Sequence, residues 1–402
     1  YAGKFKSATE PFRYDKMSDA NKLQTSIWMG GIYNQFIQST ATSRSLMADS
    51  LKYIANEGKV QTANDALNNN LVDGLLYDDQ IKKLIAKKVH ASNESAISFL
   101  SINEYAAAIA IRGSGSDKIA VVYADGDIVM GKDQKGSVAS DDYRVLLQKI
   151  RFDKSIKAVV FRVNSPGGSA LASDIIWREI DLLKKEKPVV VSMGDLAASG
   201  GYYIACGADS IFANAGTITG SIGVFSVIPN VKGLMNNKLG ISFDGVKTGQ
   251  YADMPSTTRP LNATEQRFMQ AGVDSIYHAF KSRVAIGRKK SIEYIDSIAQ
   301  GRVWIGADAI KIGLVDRIGT LDDAIASAAK MAKLKGYGIK AYPETKSFIE
   351  SFMEEYKETA KVKAIKEELG STQFELFKEI KSIQQMMGAP QTRLPIFVVK
   401  QP

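Results

Sequence analysis

Two glycine-rich stretches carry the residues best suited to chemistry. The first, Asn164-Ser165-Pro166-Gly167-Gly168-Ser169, follows directly on an apolar run that ends at Val163. A glycine pair at a strand-to-helix junction lets backbone N–H groups point into a cleft, where they can hold a developing oxyanion. An ordinary tight turn has the same spelling. The second, Gly194-Asp195-Leu196-Ala197-Ala198-Ser199-Gly200-Gly201-Tyr202-Tyr203, sets Ser199 at a helix start among small residues. A helix-capping serine would be spelled in a similar way. Here, however, Ala197 and Ala198 leave room for an approaching backbone, and Gly200 puts an unobstructed N–H beside the hydroxyl. A serine hydroxyl attacks only with a base at hand. The chain has two histidines, His278 in a helical stretch and His90 in a lysine-rich one, and neither is well placed for a Ser-His-Asp triad. A lysine can serve instead if burial brings its pKa from about 10.4 toward neutrality.

The elements that must position these residues alternate. Ile119–Tyr123, Ala158–Val163 and Pro188–Met193 are short apolar runs, rich in β-branched residues, that suit strands buried on both faces. Between the last two, Leu171, Ile175, Ile176, Ile180 and Leu183 have helical spacing over 170–185. Strands alternating with helices predict an α/β fold with a mostly parallel sheet. Both glycine-rich stretches then fall at the carboxyl ends of neighbouring strands, where open α/β sheets bind ligands. Residues 345–387 differ in character: Phe348, Phe352 and Tyr356 share one helical face, and Thr372 with Glu375 has capping-box spacing ahead of a second helix.

The chain also repeats itself. Asn56-Glu57-Gly58-Lys59-Val60 matches Ala299-Gln300-Gly301-Arg302-Val303 at an offset of 243. Ile32-Tyr33-Asn34-Gln35-Phe36 matches Ile276-Tyr277-His278-Ala279-Phe280 at 244, and Gly3-Lys4-Phe5-Lys6 lies over Gly249-Gln250-Tyr251-Ala252 at 246. Slowly drifting offsets are the mark of loop insertions in a duplicated domain. Residues 1–90 are expected to be the end of a first copy, 105–335 a complete second copy, and 345–402 a helical extension. On that reading roughly 130 residues of the first copy lie upstream of Tyr1, together with any export signal or membrane anchor.

Composition narrows the function classes. The 402 residues are 45% hydrophobic and 24% charged, as in ordinary globular proteins. The net charge of +9 favours acidic partners, but no lysine cluster alternates with aromatics as a nucleic-acid groove requires. The single cysteine, Cys206, excludes an internal disulfide and a cysteine-based metal site. No apolar run is long enough to cross a bilayer. There is no Walker-type loop, so no nucleotide is expected, and neither a cofactor nor a metal is required by the chemistry above.

Taken in order, Asn164–Ser169, Gly194–Tyr203 and Thr219-Gly220-Ser221-Ile222-Gly223 resemble the signature blocks of the signal peptide peptidase A (protease IV) family. The resemblance covers nearly the whole chain and thins over about the last sixty residues. It implies a crotonase-like fold of ββα repeats, shared with Clp-type peptidases, and a Ser-Lys dyad. Ser199 is then the nucleophile, Gly200 and the Gly167-Gly168 pair surround the oxyanion, and Ser221 orients the lysine. Short family members carry that lysine in the same copy as the serine, where this chain has Ala252. The first copy has Lys6 at the matching place, as in long duplicated members whose first half donates the lysine; Lys4 and Lys247 are nearby rivals. The resemblance further implies apolar peptide substrates, chiefly signal peptides, and a homo-oligomer, tetrameric by family, anchored in the inner membrane and facing the periplasm. Two other readings fit the same scaffold: an acyl-CoA hydratase or isomerase, which would need paired carboxylates where only Asp195 is found, and an inactive peptide-binding scaffold.

Overall fold

A computed structural model describes residues 1–102, 104–105, 116–132, 136–343, 370 and 389–394. The helices expected over 345–387 lie, apart from Gly370, outside the described residues. The chain divides into two compact units, Tyr1–Trp28 with Gly113–Pro402, and Met29–Arg112.

Unbroken apolar runs build the centre of the first unit. Strands β1 (Lys118–Asp125), β4 (Ile156–Ser165) and β6 (Val189–Ala198) pair in parallel through the expected segments. Between them are β2 (Ile128–Val129), β3 (Val138–Ala139) and β5 (Gly167–Ser169); after them come β7 (Ser210–Ala213), β8 (Ile218–Gly220), β9 (Val303–Ile305), β10 (Arg317–Ile318), β11 (Gly338–Tyr342) and β12 (Gln391–Arg393). The main sheet runs β10-β7-β6-β4-β1-β11 with every pairing parallel, and β8 joins β6 in parallel while β9 closes on β8 antiparallel. Alternation along β4 shows why the run had to be apolar throughout. Val159, Phe161 and Val163 pack toward Ile176 and Ile180 of the helix Ala170–Lys184, while Ala158 and Val160 pack toward Ile325 and Ala328 of the helix Leu321–Met331. With a helix layer on each face, both parities of the strand are core. The mixed α/β fold with a parallel sheet is thus the one the sequence predicts.

A second, small sheet, β12-β5-β2-β3, is built around the glycine pair. It carries Gly167 and Gly168 at the end of β4, next to the serine at the end of β6. Strand β6 runs further than the apolar run, to Ala198, because Leu196–Ala198 pair with Ile218–Gly220 of β8.

The unit Met29–Arg112 is helical. Ile37 and Ala41 of the helix Asp19–Arg44 meet Leu51 of the helix Ala48–Asn56, with Leu46 and Leu71 at the margin. Thr62 and Asp65 form a reciprocal capping box at the start of the helix Ala63–Asn68. The helices Asp19–Arg44 and Ala263–Arg288 are both 26 residues long and start 244 residues apart, the offset at which their sequences match. Among the described residues no helix is long and apolar enough to cross a membrane.

Candidate active site

Strand pairing fixes the two serines first. Ala198 of β6 lies opposite Gly220 of β8, so Ser199 and Ser221 leave the sheet side by side. The Ser199 N–H donates to the Gly220 carbonyl at 2.8 Å, and the Ser221 N–H to the Arg302 carbonyl at 2.7 Å. Both serines have positive φ, 54° and 51°, outside any helix or strand region open to most side chains. Such a conformation at the tip of a strand is sustained by its surroundings and turns the side chain out of the helical path. The helix Gly200–Ala205 begins immediately after, and the Tyr203 N–H reaches back to the Ser199 carbonyl.

Lys6 arrives from the far end of the sequence. Ala2 forms an antiparallel bridge with Val224, and the Phe5 N–H donates to the Gln300 carbonyl at 2.7 Å. Gln24 clamps the same stretch: its amide donates to the Phe5 carbonyl at 2.9 Å and accepts from the Val303 N–H at 3.3 Å. Gly301, at φ 73°, lets the backbone approach so closely that a Cβ there would stand 2.7 Å from the Lys6 Cβ. The result is a lysine only 3% exposed, with Nζ 2.8 Å from Ser199 Oγ, 3.1 Å from Ser221 Oγ and 3.3 Å from the Ser221 carbonyl oxygen. No carboxylate is hydrogen-bonded to it among the described residues. Burial alone therefore acts on the amine, penalising the ammonium form and bringing its pKa down to about 7. Ser199 itself has no exposed surface.

The glycine loop completes the site. Gly167, at φ 95°, comes so near that a Cβ on it would stand 2.5 Å from the Gly200 nitrogen, and Gly168 follows it in β5. Backbone at residues 167–168 and at Gly200 thus flanks one corner beside the Ser199 hydroxyl.

The sequence-derived residues Ser199, Lys6, Ser221, Gly167, Gly168 and Gly200 all fall in this one place. The rival lysines do not: Lys4 is exposed, and Lys247 is ion-paired with Asp253 at 2.8 Å. His90 and His278 are exposed, as is Asp195. Burial pushes the Cys206 thiol up to about 12, which leaves it an inert core residue. Gln24 and Gly301 carry no chemical signal in the sequence. In the sequence Gly301 stands out only within the repeated Gln300-Gly301-Arg302-Val303, and nothing local marks Gln24 as a clamp.

Comparison with known proteins gives the class. The chain belongs to Peptidase family S49, whose model matches residues 1–92 and 181–335. Protease 4 of Salmonella typhi is 36% identical over 364 residues, covering 88% of this chain and 58% of its own length. The chloroplastic serine protease SPPA of Arabidopsis thaliana is 31% identical over 343 residues, covering 83% of this chain and 50% of its own. A shorter putative protease of Synechocystis is 41% identical over 201 residues, half of this chain and 72% of the relative. The chain spans about half the length of the first two.

Proposed function

We propose that this chain is a serine peptidase in which Ser199 is the nucleophile and Lys6 the general base. The observation that carries the reading is the 2.8 Å approach of a buried amine with a pKa of about 7 to the Ser199 hydroxyl. With the amine neutral, the hydroxyl donates its proton to Nζ as Oγ bonds to the carbonyl carbon of a peptide. Negative charge then collects on the former carbonyl oxygen at the corner flanked by Gly200 and residues 167–168, whose N–H groups stabilise it. Collapse breaks the C–N bond, and the leaving amine takes the proton from Lys6. Water, deprotonated by the same amine, frees Ser199 from the acyl ester. Ser221 holds the lysine on line through its hydroxyl and its carbonyl oxygen. No step needs a metal or a cofactor.

The substrates on this reading are apolar peptides, of which cleaved signal peptides are the leading class, and the enzyme works as a membrane-anchored homo-oligomer facing the periplasm. Kinship with bacterial Protease 4 supports this setting. Residues 1–90 are the C-terminal part of a first copy and 105–335 a complete second copy of one domain, a reading supported by the paired 26-residue helices. Hydrolysis of a fluorogenic apolar peptide by the parent, Ser199→Ala and Lys6→Ala tests the chemistry. Both variants should fold and be inactive. Full activity in Lys6→Ala would remove the dyad, and peptide binding without turnover by the parent would favour a scaffold. The hydratase reading gains no support from Asp195, whose side chain is exposed.

A further inference from the structure

Lys6 is held from a distance as well as by its own contacts. Both backbone groups of Phe5, the residue before it, are pinned: the N–H to the Gln300 carbonyl and the carbonyl to Gln24. Gln24 is only 3% exposed, and what fixes it lies further out. Its Nε2 also donates to Asn21 Oδ1 at 3.2 Å, three residues back on the same face of the helix Asp19–Arg44. Thr25 Oγ1 donates to the same oxygen at 3.3 Å. Asn21 Nδ2 in turn donates to Glu10 Oε2 at 2.8 Å. The Glu10 carboxylate accepts two further bonds, from the Ser18 N–H at 3.2 Å and the Ser18 hydroxyl at 2.5 Å. Ser18 sits just ahead of the helix and accepts from the Asn21 N–H at 3.1 Å.

The order of donors and acceptors is settled from both ends. A carboxylate can only accept, so Asn21 must turn its NH2 toward Glu10 and its oxygen toward Gln24. Gln24 must then turn its NH2 toward Asn21 and Phe5, which leaves its oxygen for the Val303 N–H. At the other end the Phe5 carbonyl can only accept and the Val303 N–H can only donate, and they demand the same orientation. Either amide, if flipped, would set donor against donor or acceptor against acceptor. A network of this kind is rigid when every member is paired and costly when one is not. It also uses a carboxylate to order the base without placing it on the amine, whose partners are Ser199 and Ser221.

We infer that Glu10 and Asn21 are positioning residues for the Lys6 amine, acting through Gln24. The inference rests on the reading of Lys6 as the general base. Gln24 ties Phe5 to the start of β9, and so keeps Lys6 pressed against Gly301. Without Glu10 or Asn21 the Gln24 amide loses its reason to face inward, Phe5 is released from Val303, and water reaches the amine. Two effects follow together. The amine moves off the line to Ser199, and the ammonium form regains the solvation that burial denies it. The glycine loop is untouched, so peptide binding should hold.

The test measures turnover and the amine itself in the full chain. Turnover of a fluorogenic apolar peptide is followed against pH in the parent, Asn21→Leu, Glu10→Ala and Glu10→Gln. In parallel, the Lys6 amine is titrated by NMR of isotope-labelled lysine, its signal assigned by its loss in Lys6→Met. Asn21→Leu and Glu10→Ala should lower kcat at neutral pH by about tenfold to a hundredfold with KM unchanged. In both, the rising limb of the rate and the amine's titration should move up by about one pH unit or more, so that activity partly returns in alkali. Glu10→Gln should match the parent, because its oxygen can serve Asn21 and the Ser18 N–H while its NH2 donates to the Ser18 hydroxyl. Glu10→Asp keeps the charge but is too short to hold Ser18 and Asn21 together. It should move the titration the same way, and it decides the matter should the larger changes prevent folding. An unmoved titration in these variants would overturn the inference, even with kcat reduced, since that is what general loosening would give. So would a Glu10→Gln variant as impaired as Glu10→Ala. Full activity in Lys6→Ala would instead overturn only the reading of Lys6 as base, and the titration would still decide whether Glu10 and Asn21 hold the amine.

Discussion

On the proposed duplication Gly3–Lys6 and Gly249–Ala252 occupy matching places, and the two stretches have opposite surroundings. In the first, Lys6 is sealed under Gly301, with two serine side chains and a carbonyl as partners and no acid hydrogen-bonded to it among the described residues. In the second, Ala252 is exposed, and the charged residues around it are satisfied by one another. Arg259 bonds both Asp253 and Glu265, and Lys247 reaches Asp253. Arg259 and then Lys247 hold the Asp253 carboxyl below its usual range. On the proposed mechanism, this difference is what would make one lysine a base. A carboxylate partner would stabilise the ammonium form, whereas burial among neutral groups stabilises the free amine. One stretch buries an amine among neutral groups, and the other keeps its charges paired.

The sharpest way to break this contrast is to move the lysine. Lys6→Ala should lower peptide turnover by a factor of about 10^4 or more, the range seen when a nucleophile–base pair loses a member. Adding Ala252→Lys should restore nothing, because that position is exposed and Ser199 is not. Rescue by this second change would show the two stretches to be interchangeable. Lys6→Arg should fail as well, since a guanidinium does not give up its proton. Next in size is Gly301→Ala, whose methyl group would press on the Lys6 side chain. Displacement of a reacting group by about 1 Å costs about 10^2 in rate, and kcat should fall with little change in KM.

The pH dependence follows from the same burial. Below pH 7 the amine is protonated and cannot accept from Ser199, so the rate should rise through about pH 7 and level off above it. The sign for stability is also fixed. In the unfolded chain the lysine keeps its proton up to about 10.4, so between those values the unfolded state binds more protons and folding becomes more favourable as pH rises. The cost is fully present below pH 7. Lys6→Met should therefore raise the urea midpoint at pH 7 and flatten its change toward pH 10, while abolishing activity. A smaller effect is expected for Ser221→Ala, about tenfold in kcat, because the Ser221 carbonyl still orients the amine. Smallest for catalysis is Arg259→Ala. It should leave kcat unchanged and lower the denaturation midpoint, by leaving buried Glu265 without a cation and Asp253 with Lys247 alone.

Sequence made some of this legible and hid the rest for physical reasons. Strands β1, β4 and β6 could be read because burial on both faces demands an unbroken apolar run. Ser199 could be read because a strained turn next to an approaching backbone demands small neighbours. Lys6 needed the repeat, since nothing in Gly3-Lys4-Phe5-Lys6 tells a buried amine from an exposed one. Gln24 was hidden because its role is to bridge Phe5 and Val303, which lie far apart in the chain. Strand β12 was hidden more deeply. Gln391-Thr392-Arg393 is polar and short, and what holds it is main-chain pairing, which any side chains permit.

The separation between Lys6 and Ser199 has a consequence for the time before folding is complete. The two residues stand 193 positions apart. At about 5–20 residues per second, translation delivers the serine roughly 10–40 s after the lysine. The clamps at Gly301 and Val303 come later still. On the proposed dyad, a chain not yet made through to residue 303 lacks the clamps that hold the amine against the hydroxyl and should be inert. Turnover would then report that a molecule has been made at least through residue 303 and has closed these clamps.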